Sequence, residues 1–85
     1  MRSIWITNFE NNEIRIENSW INGEKLFVNN ELQDDRLSFL SSNLTGNLIN
    51  KNGEKLSIKA NISGFFKVDC RLFVDNRKLE LTQTK

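Results

Sequence analysis

The segment Phe66-Lys67-Val68-Asp69-Cys70-Arg71-Leu72-Phe73-Val74 is apolar at every second position. Phe66, Val68, Cys70, Leu72 and Val74 form one set, and Lys67, Asp69 and Arg71 the other, with Phe73 as the exception. Successive side chains of an extended chain point to opposite faces, so this period of two predicts a half-buried β-strand. Residues 55–62 repeat the pattern, with Leu56, Ile58, Ala60 and Ile62 inward and Lys55, Ser57, Lys59 and Asn61 outward.

The same reading extends along the chain. Ile4 and Ile6 alternate with Trp5 and Thr7 in a first strand, and Asn11-Asn12 predicts a turn into a second over 13–18. Asn22-Gly23 and Asn52-Gly53 are strong hairpin signals, the first read as a type I′ turn, because both residue types tolerate positive φ. Asn29-Asn30, Ser63-Gly64 and Asp75-Asn76 predict further turns. Asp34-Asp35-Arg36 reads as a polar connection, residues 37–40 as a strand or one helical turn, and Gly46 as a bulge in a strand over 44–50. Residues 78–82 predict the closing strand. No stretch shows a helical period, and proline, which removes a ladder donor, is absent. The expected fold is all-β: an antiparallel β-sandwich of seven or eight short hairpin-connected strands, in one domain over 1–82 with a frayed tail at 83–85.

Composition narrows the function classes. Hydrophobic residues make up 38% and charged residues 27% of the 85 residues, a globular balance. No apolar run approaches the ~18 residues that span a bilayer, and residues 1–9 lack the continuous apolar stretch of a signal peptide, so the expectation is a cytoplasmic protein with no membrane partner. A net charge of +1 supplies no global field, and nucleic acid is therefore an unexpected partner. Histidine is absent, which removes the commonest general base and metal ligand, and a lone Cys70 leaves no zinc set. Asp34-Asp35 is the only adjacent carboxylate pair and reads as a solvated loop rather than a calcium site. The four glycines are isolated, so no phosphate loop exists. The expectation is no enzyme, no catalytic residues, no metal and no cofactor.

Five residues are candidates for binding. Trp5 and Trp20 would stack a sugar if exposed, with amides from the asparagine-rich turns reaching its hydroxyls, or else fill the core. Phe65, Lys67 and Phe73 share parity with Asp69 and Arg71. Exposed, that face would interleave aromatic and basic groups, as single-strand binders do; buried, it would pack a thin domain. Lys51, Lys55, Lys59, Lys67 and Arg71 cluster in this half against Glu54 and Asp69.

An internal echo runs through the hairpins: Asn22-Gly23-Glu24-Lys25-Leu26 recurs as Asn52-Gly53-Glu54-Lys55-Leu56, and Leu26-Phe27-Val28-Asn29-Asn30 as Leu72-Phe73-Val74-Asp75-Asn76. Shared turn chemistry accounts for it, since a solenoid needs at least three repeats. The stretch Trp20-Ile21-Asn22-Gly23-Glu24-Lys25-Leu26-Phe27-Val28-Asn29-Asn30-Glu31-Leu32-Gln33-Asp34, with Leu44-Thr45-Gly46 and Cys70-Arg71-Leu72-Phe73-Val74-Asp75-Asn76, resembles small uncharacterised all-β proteins of low-GC Gram-positive bacteria. The strand–turn–strand hairpin also resembles the β-sandwich domains of the Fas apoptotic inhibitory molecule family, whose turn carries Gly where this chain has Asn30 and Asn76. Both resemblances imply a fold and no activity. The leading functional expectation is a non-enzymatic interaction module acting through protein contacts or self-association, with a protein partner or a second copy of the chain. The alternative is ligand binding through an exposed aromatic face, the ligand being a glycan or single-stranded nucleic acid.

Overall fold

In the computed structural model, which describes residues 2–19, 21–37, 41–64 and 68–85, the described residues form nine strands and no helix. Four strands run as a meander: β1 (Arg2–Phe9), β2 (Asn12–Ser19), β3 (Gly23–Val28) and β4 (Glu31–Arg36). A second meander follows: β5 (Ser41–Ile49), β6 (Lys55–Ser63), β7 (Asp69–Val74) and β8 (Arg77–Leu79). The chain then crosses back, and β9 (Thr82–Gln83) pairs with β1. The result is a five-stranded sheet ordered β4-β3-β2-β1-β9 and a four-stranded sheet ordered β5-β6-β7-β8, antiparallel throughout. This is the β-sandwich that the alternation predicts.

The core lies between the sheets. Trp5, Ile14, Ile16, Leu26 and Val28 come from the first sheet, and Leu44, Leu48, Ile58, Ala60, Ile62, Leu72 and Val74 from the second. Each of the larger side chains contributes about 1.5–3 kcal/mol on full burial. Phe9, Leu56, Val68, Cys70, Leu79 and Leu81 pack around them. The inward set of 55–62 is as the alternation predicts. In β1 the inward set is Trp5, while Ile4 and Ile6 are only half-buried on the outer face.

The turns depart from expectation in an ordered way. Glu10-Asn11, Asn29-Asn30 and Asp75-Asn76 each have both residues at positive φ, the requirement of a type I′ turn whose twist matches the flanking strands. At the two Asn-Gly sites only the glycine is left-handed, Gly23 at 79° and Gly53 at 80°. Around Gly53 the Asn50 carbonyl accepts from the Gly53 N–H at 3.0 Å, and the Asn50 N–H donates to the Glu54 carbonyl at 2.9 Å. That is a three-residue loop, a type I turn closed by a left-handed glycine, rather than a two-residue hairpin.

Asp34-Asp35-Arg36, expected as a connection, belongs to β4. Leu26 pairs with Asp34 and Phe27 with Leu32, so Gln33 is the extra residue of a bulge. The bulge lies here and not at Gly46, which pairs with Ile58 in unbroken register. Gly46 has a different reason to be glycine: a Cβ there would lie 2.9 Å from the Gln33 Cβ and 3.1 Å from a Leu26 methyl. Beside it the Thr45 N–H donates to Asp34 Oδ2 at 2.9 Å and the Asn47 N–H to Gln33 Oε1 at 3.2 Å. Side chains of β4 thus satisfy the outward donors of β5 and seal one corner of the sandwich.

The closing strand expected over 78–82 is divided between the sheets. Arg77–Leu79 edges one and Thr82–Gln83 the other. Residues 83–85, expected to fray, are held on β1: the Thr84 N–H donates to the Ile4 carbonyl at 2.8 Å and the Ile4 N–H to the Lys85 carbonyl at 3.4 Å. Residues 38–40, part of the ambiguous segment, lie outside the described residues.

Replacing Gly46 tests the sealed corner. With room for a methyl group, Gly→Ala at a compatible φ stabilises by about 0.4–1 kcal/mol. The contact with Gln33 reverses that sign, and Gly46→Ala is expected to destabilise by about 1–3 kcal/mol through overpacking, read as a lower urea midpoint.

Candidate binding face

The outer face of the four-stranded sheet is assembled from the odd-numbered residues of β5, β6 and β7. Register sets its rows. Thr45 pairs with Lys59, Lys59 with Phe73, and Phe73 with Lys78, so one row crosses all four strands. The next row is Asn43, Asn61 and Arg71. Direct neighbours across an antiparallel pair share a face and lie about 4.5–5.5 Å apart at Cα. Phe73 therefore sits between two lysines. It is half-buried, while Asn43, Thr45, Lys59, Arg71 and Lys78 are exposed. A shallow depression of about 260 Å³ is lined there by Asn43, Thr45, Lys59, Asn61 and Phe73. Asn61 Nδ2 donates to Asn43 Oδ1 at 2.8 Å, tying the two amides together beside it. Among the described residues no carboxylate forms an ion pair with Lys55, Lys59, Arg71 or Lys78.

The opposite outer face handles the same elements differently. Phe27 occupies the place in the first meander that Phe73 holds in the second, one residue before the Val that precedes a type I′ turn. Its cross-strand neighbour is Arg15, whose guanidinium carbon stands 4.4 Å from the ring centroid. Arg15 also donates to Glu17 Oε2 at 2.9 Å and Asn30 Oδ1 at 2.6 Å, and lies 3.6 Å from Glu13 Oε1. That ring is covered by its own cation, a contact worth about 0.5–1 kcal/mol at an exposed site.

The candidate residues of the sequence separate accordingly. Trp5 is 4% exposed and belongs to the core; its parity with Thr7 and Phe9, not with Ile4 and Ile6, faces inward, so it offers no sugar-stacking surface. Phe73 lies on the outer face as the alternation places it. Trp20, Phe65 and Lys67 fall outside the described residues. Lys78, Asn43 and Asn61 were missed. Outward parity was legible for Asn61 and Lys78, whereas Asn43 precedes the strand expected over 44–50, and the convergence of all three on Phe73 depends on hairpin register, which no single segment encodes.

Asp34 and Asp35 do not converge. Asp34 is used by the Thr45 N–H, and Asp35 pairs across the strand with Lys25. Two inward polar groups are more unusual. Glu24 is 3% exposed and Ser42 7%, and neither Glu24 Oε2 nor Ser42 Oγ has a hydrogen-bond partner among the described residues. Cys70 is a half-buried thiol. Burial pushes it from 9.0 up to about 12, with the Asp69 carboxylate adding to the rise. The thiolate is the nucleophile, so this shift lowers the reactivity of Cys70 at neutral pH.

This shift yields two expectations. Because the folded thiol is held neutral above its unfolded pKa, the linked stability is complete below about pH 9 and is lost as pH climbs towards 12. At pH 8, labelling of Cys70 by a disulfide reagent should run about 1,000-fold slower in the folded protein than in urea. Equal rates would place the thiol in solvent.

Among the described residues no helix is long and apolar enough to cross a membrane. No family model matches this chain, and neither a curated protein nor a solved structure is significantly similar to it.

Proposed function

We propose that this protein is a non-enzymatic binding module whose working surface is the outer face of β5–β8, and that its partner is an extended anionic chain. The observation that carries this is the row Lys59, Phe73, Lys78, an aromatic flanked by two cations that have no carboxylate partner among the described residues. The charge distribution supports it. Seven of the 11 acidic residues lie before residue 37, and eight of the 12 basic residues lie after residue 50. A net charge of +1 therefore conceals one acidic and one basic half. Local fields of this kind, rather than net charge, guide an anionic partner to one face.

Self-association through a strand edge has less support. Unpaired edges recruit further strands, and short or charged edges resist it. Here β8 has three residues, two of them Arg77 and Lys78, and β9 has two. The outward donors of β5 at Thr45 and Asn47 are engaged by side chains of β4. A broad face is therefore the better-supported surface.

Retention on heparin-agarose at low salt tests this reading. Lys59→Gln with Lys78→Gln should cut the eluting salt concentration by about half, since each lost contact removes counterion release. Arg2→Gln with Lys25→Gln, the same charge change on the other sheet, should leave it nearly unaltered. Equal losses from the two pairs, or no retention of the parent protein, would overturn the proposal.

A further inference from the structure

The same face has features that a generic polyanion site does not need. Phe73 presents a ring in a depression of about 260 Å³, enough for one planar heterocycle against it. Lys59 and Lys78 stand one strand to either side, so their Cα atoms are about 10 Å apart across the sheet. In the adjacent row, the Asn61–Asn43 hydrogen bond consumes one N–H of Asn61 and the carbonyl of Asn43. It leaves the Asn43 amide N–H₂ and the Asn61 carbonyl, one donor and one acceptor, without protein partners among the described residues. Phe27, the equivalent ring on the other sheet, is already capped by Arg15 at 4.4 Å.

We infer that this face binds single-stranded nucleic acid, with one base stacked on Phe73, its flanking phosphates on Lys59 and Lys78, and the Asn43–Asn61 pair at the base edge. The inference rests on the binding-module reading above and deepens it. Charge complementarity selects an anionic chain, and a ring with no cation over it among the described residues, beside the paired amides, selects one that carries planar, hydrogen-bonding groups. Every base has a π-face, so stacking of this kind tolerates sequence, while a duplex keeps its base faces internal. An acidic peptide would use the lysines and leave Phe73 idle.

Fluorescence anisotropy with labelled ten-nucleotide single strands of mixed sequence, DNA and RNA, tests it, with the corresponding duplex and poly-glutamate as competitors. Single strands are expected to bind more tightly than the duplex and to resist poly-glutamate. Phe73→Ala should weaken binding about 5- to 100-fold, the loss of one stacked base, and Phe73→Trp should retain it. With Lys59 and Lys78 on phosphates, log K should fall with log salt at a slope of about −1.4, and Lys59→Gln with Lys78→Gln should remove most of that dependence. Circular dichroism establishes that each variant is folded, and Phe73→Leu, which keeps the bulk without the aromatic plane, serves if Phe73→Ala is not. Single-strand binding indifferent to Phe73, or equal displacement by poly-glutamate, would overturn the inference while leaving a basic binding face intact. Failure of heparin, poly-glutamate and oligonucleotide alike would overturn both.

Discussion

The seam between β4 and β5 is the constraint on which the rest of the sandwich depends. Two sheets joined there must pass from one layer to the other without leaving a row of open backbone donors. Gln33, the extra residue of the β4 bulge, packs against Gly46 of β5, which has no side chain to hold the strands apart. Asp34 and Gln33 then accept the Thr45 and Asn47 N–H groups. Both bonds lie at the exposed rim of the corner, where each adds the net contribution of an ordinary hydrogen bond, about 0.5–1.5 kcal/mol. At the other corner the chain supplies its own cover, as 82–85 crosses from the four-stranded sheet to lie along β1.

Closure at both corners leaves the two broad faces as the surfaces open to a partner, and they are unlike. On the first sheet Arg15 is a hub that covers Phe27 and bonds to Glu17 and Asn30. Its charge and the ring are both spent within the molecule. On the second sheet the corresponding ring has lysine neighbours instead of arginine, and no carboxylate among the described residues holds them. Lysine is a compact, strongly hydrated cation on a flexible stem, less suited than arginine to lying flat on an aromatic ring. A local echo in sequence thus leads to one self-satisfied face and one that is not.

Much of the fold was legible in the chain. The alternation over 55–62 and 69–74 identified strands, their inward residues and the antiparallel hairpins, because a period of two is a property of the backbone itself, while Phe66 and Lys67 of the expected strand lie outside the described residues. The outward position of Phe73 follows from the same count. Where both parities are apolar the count is silent. Ile4 and Ile6 compete with Trp5 for the core, and the larger ring is buried because β1 pairs Trp5 with Ile16, already an inward residue. Turn chemistry was also only partly readable. Asn-Gly permits a type I′ turn without requiring one, and the spacing of the flanking strands selected a longer loop at Gly53.

By itself, then, the sequence determined the all-β class, the hairpin connections and the parity of most side chains, since these depend on neighbours two to five residues apart. Tertiary structure alone decided which strands lie side by side. It placed Asp34 against β5 rather than in a loop, and divided the C-terminal residues between two sheets. It also brought Asn43, Asn61, Lys59 and Lys78 around Phe73. Among these contacts are residues 11 positions apart, at Asp34 and Thr45, and 78 apart, at Trp5 and Gln83. Their register is set by the summed fit of a shared core, which no single strand carries in its own residues.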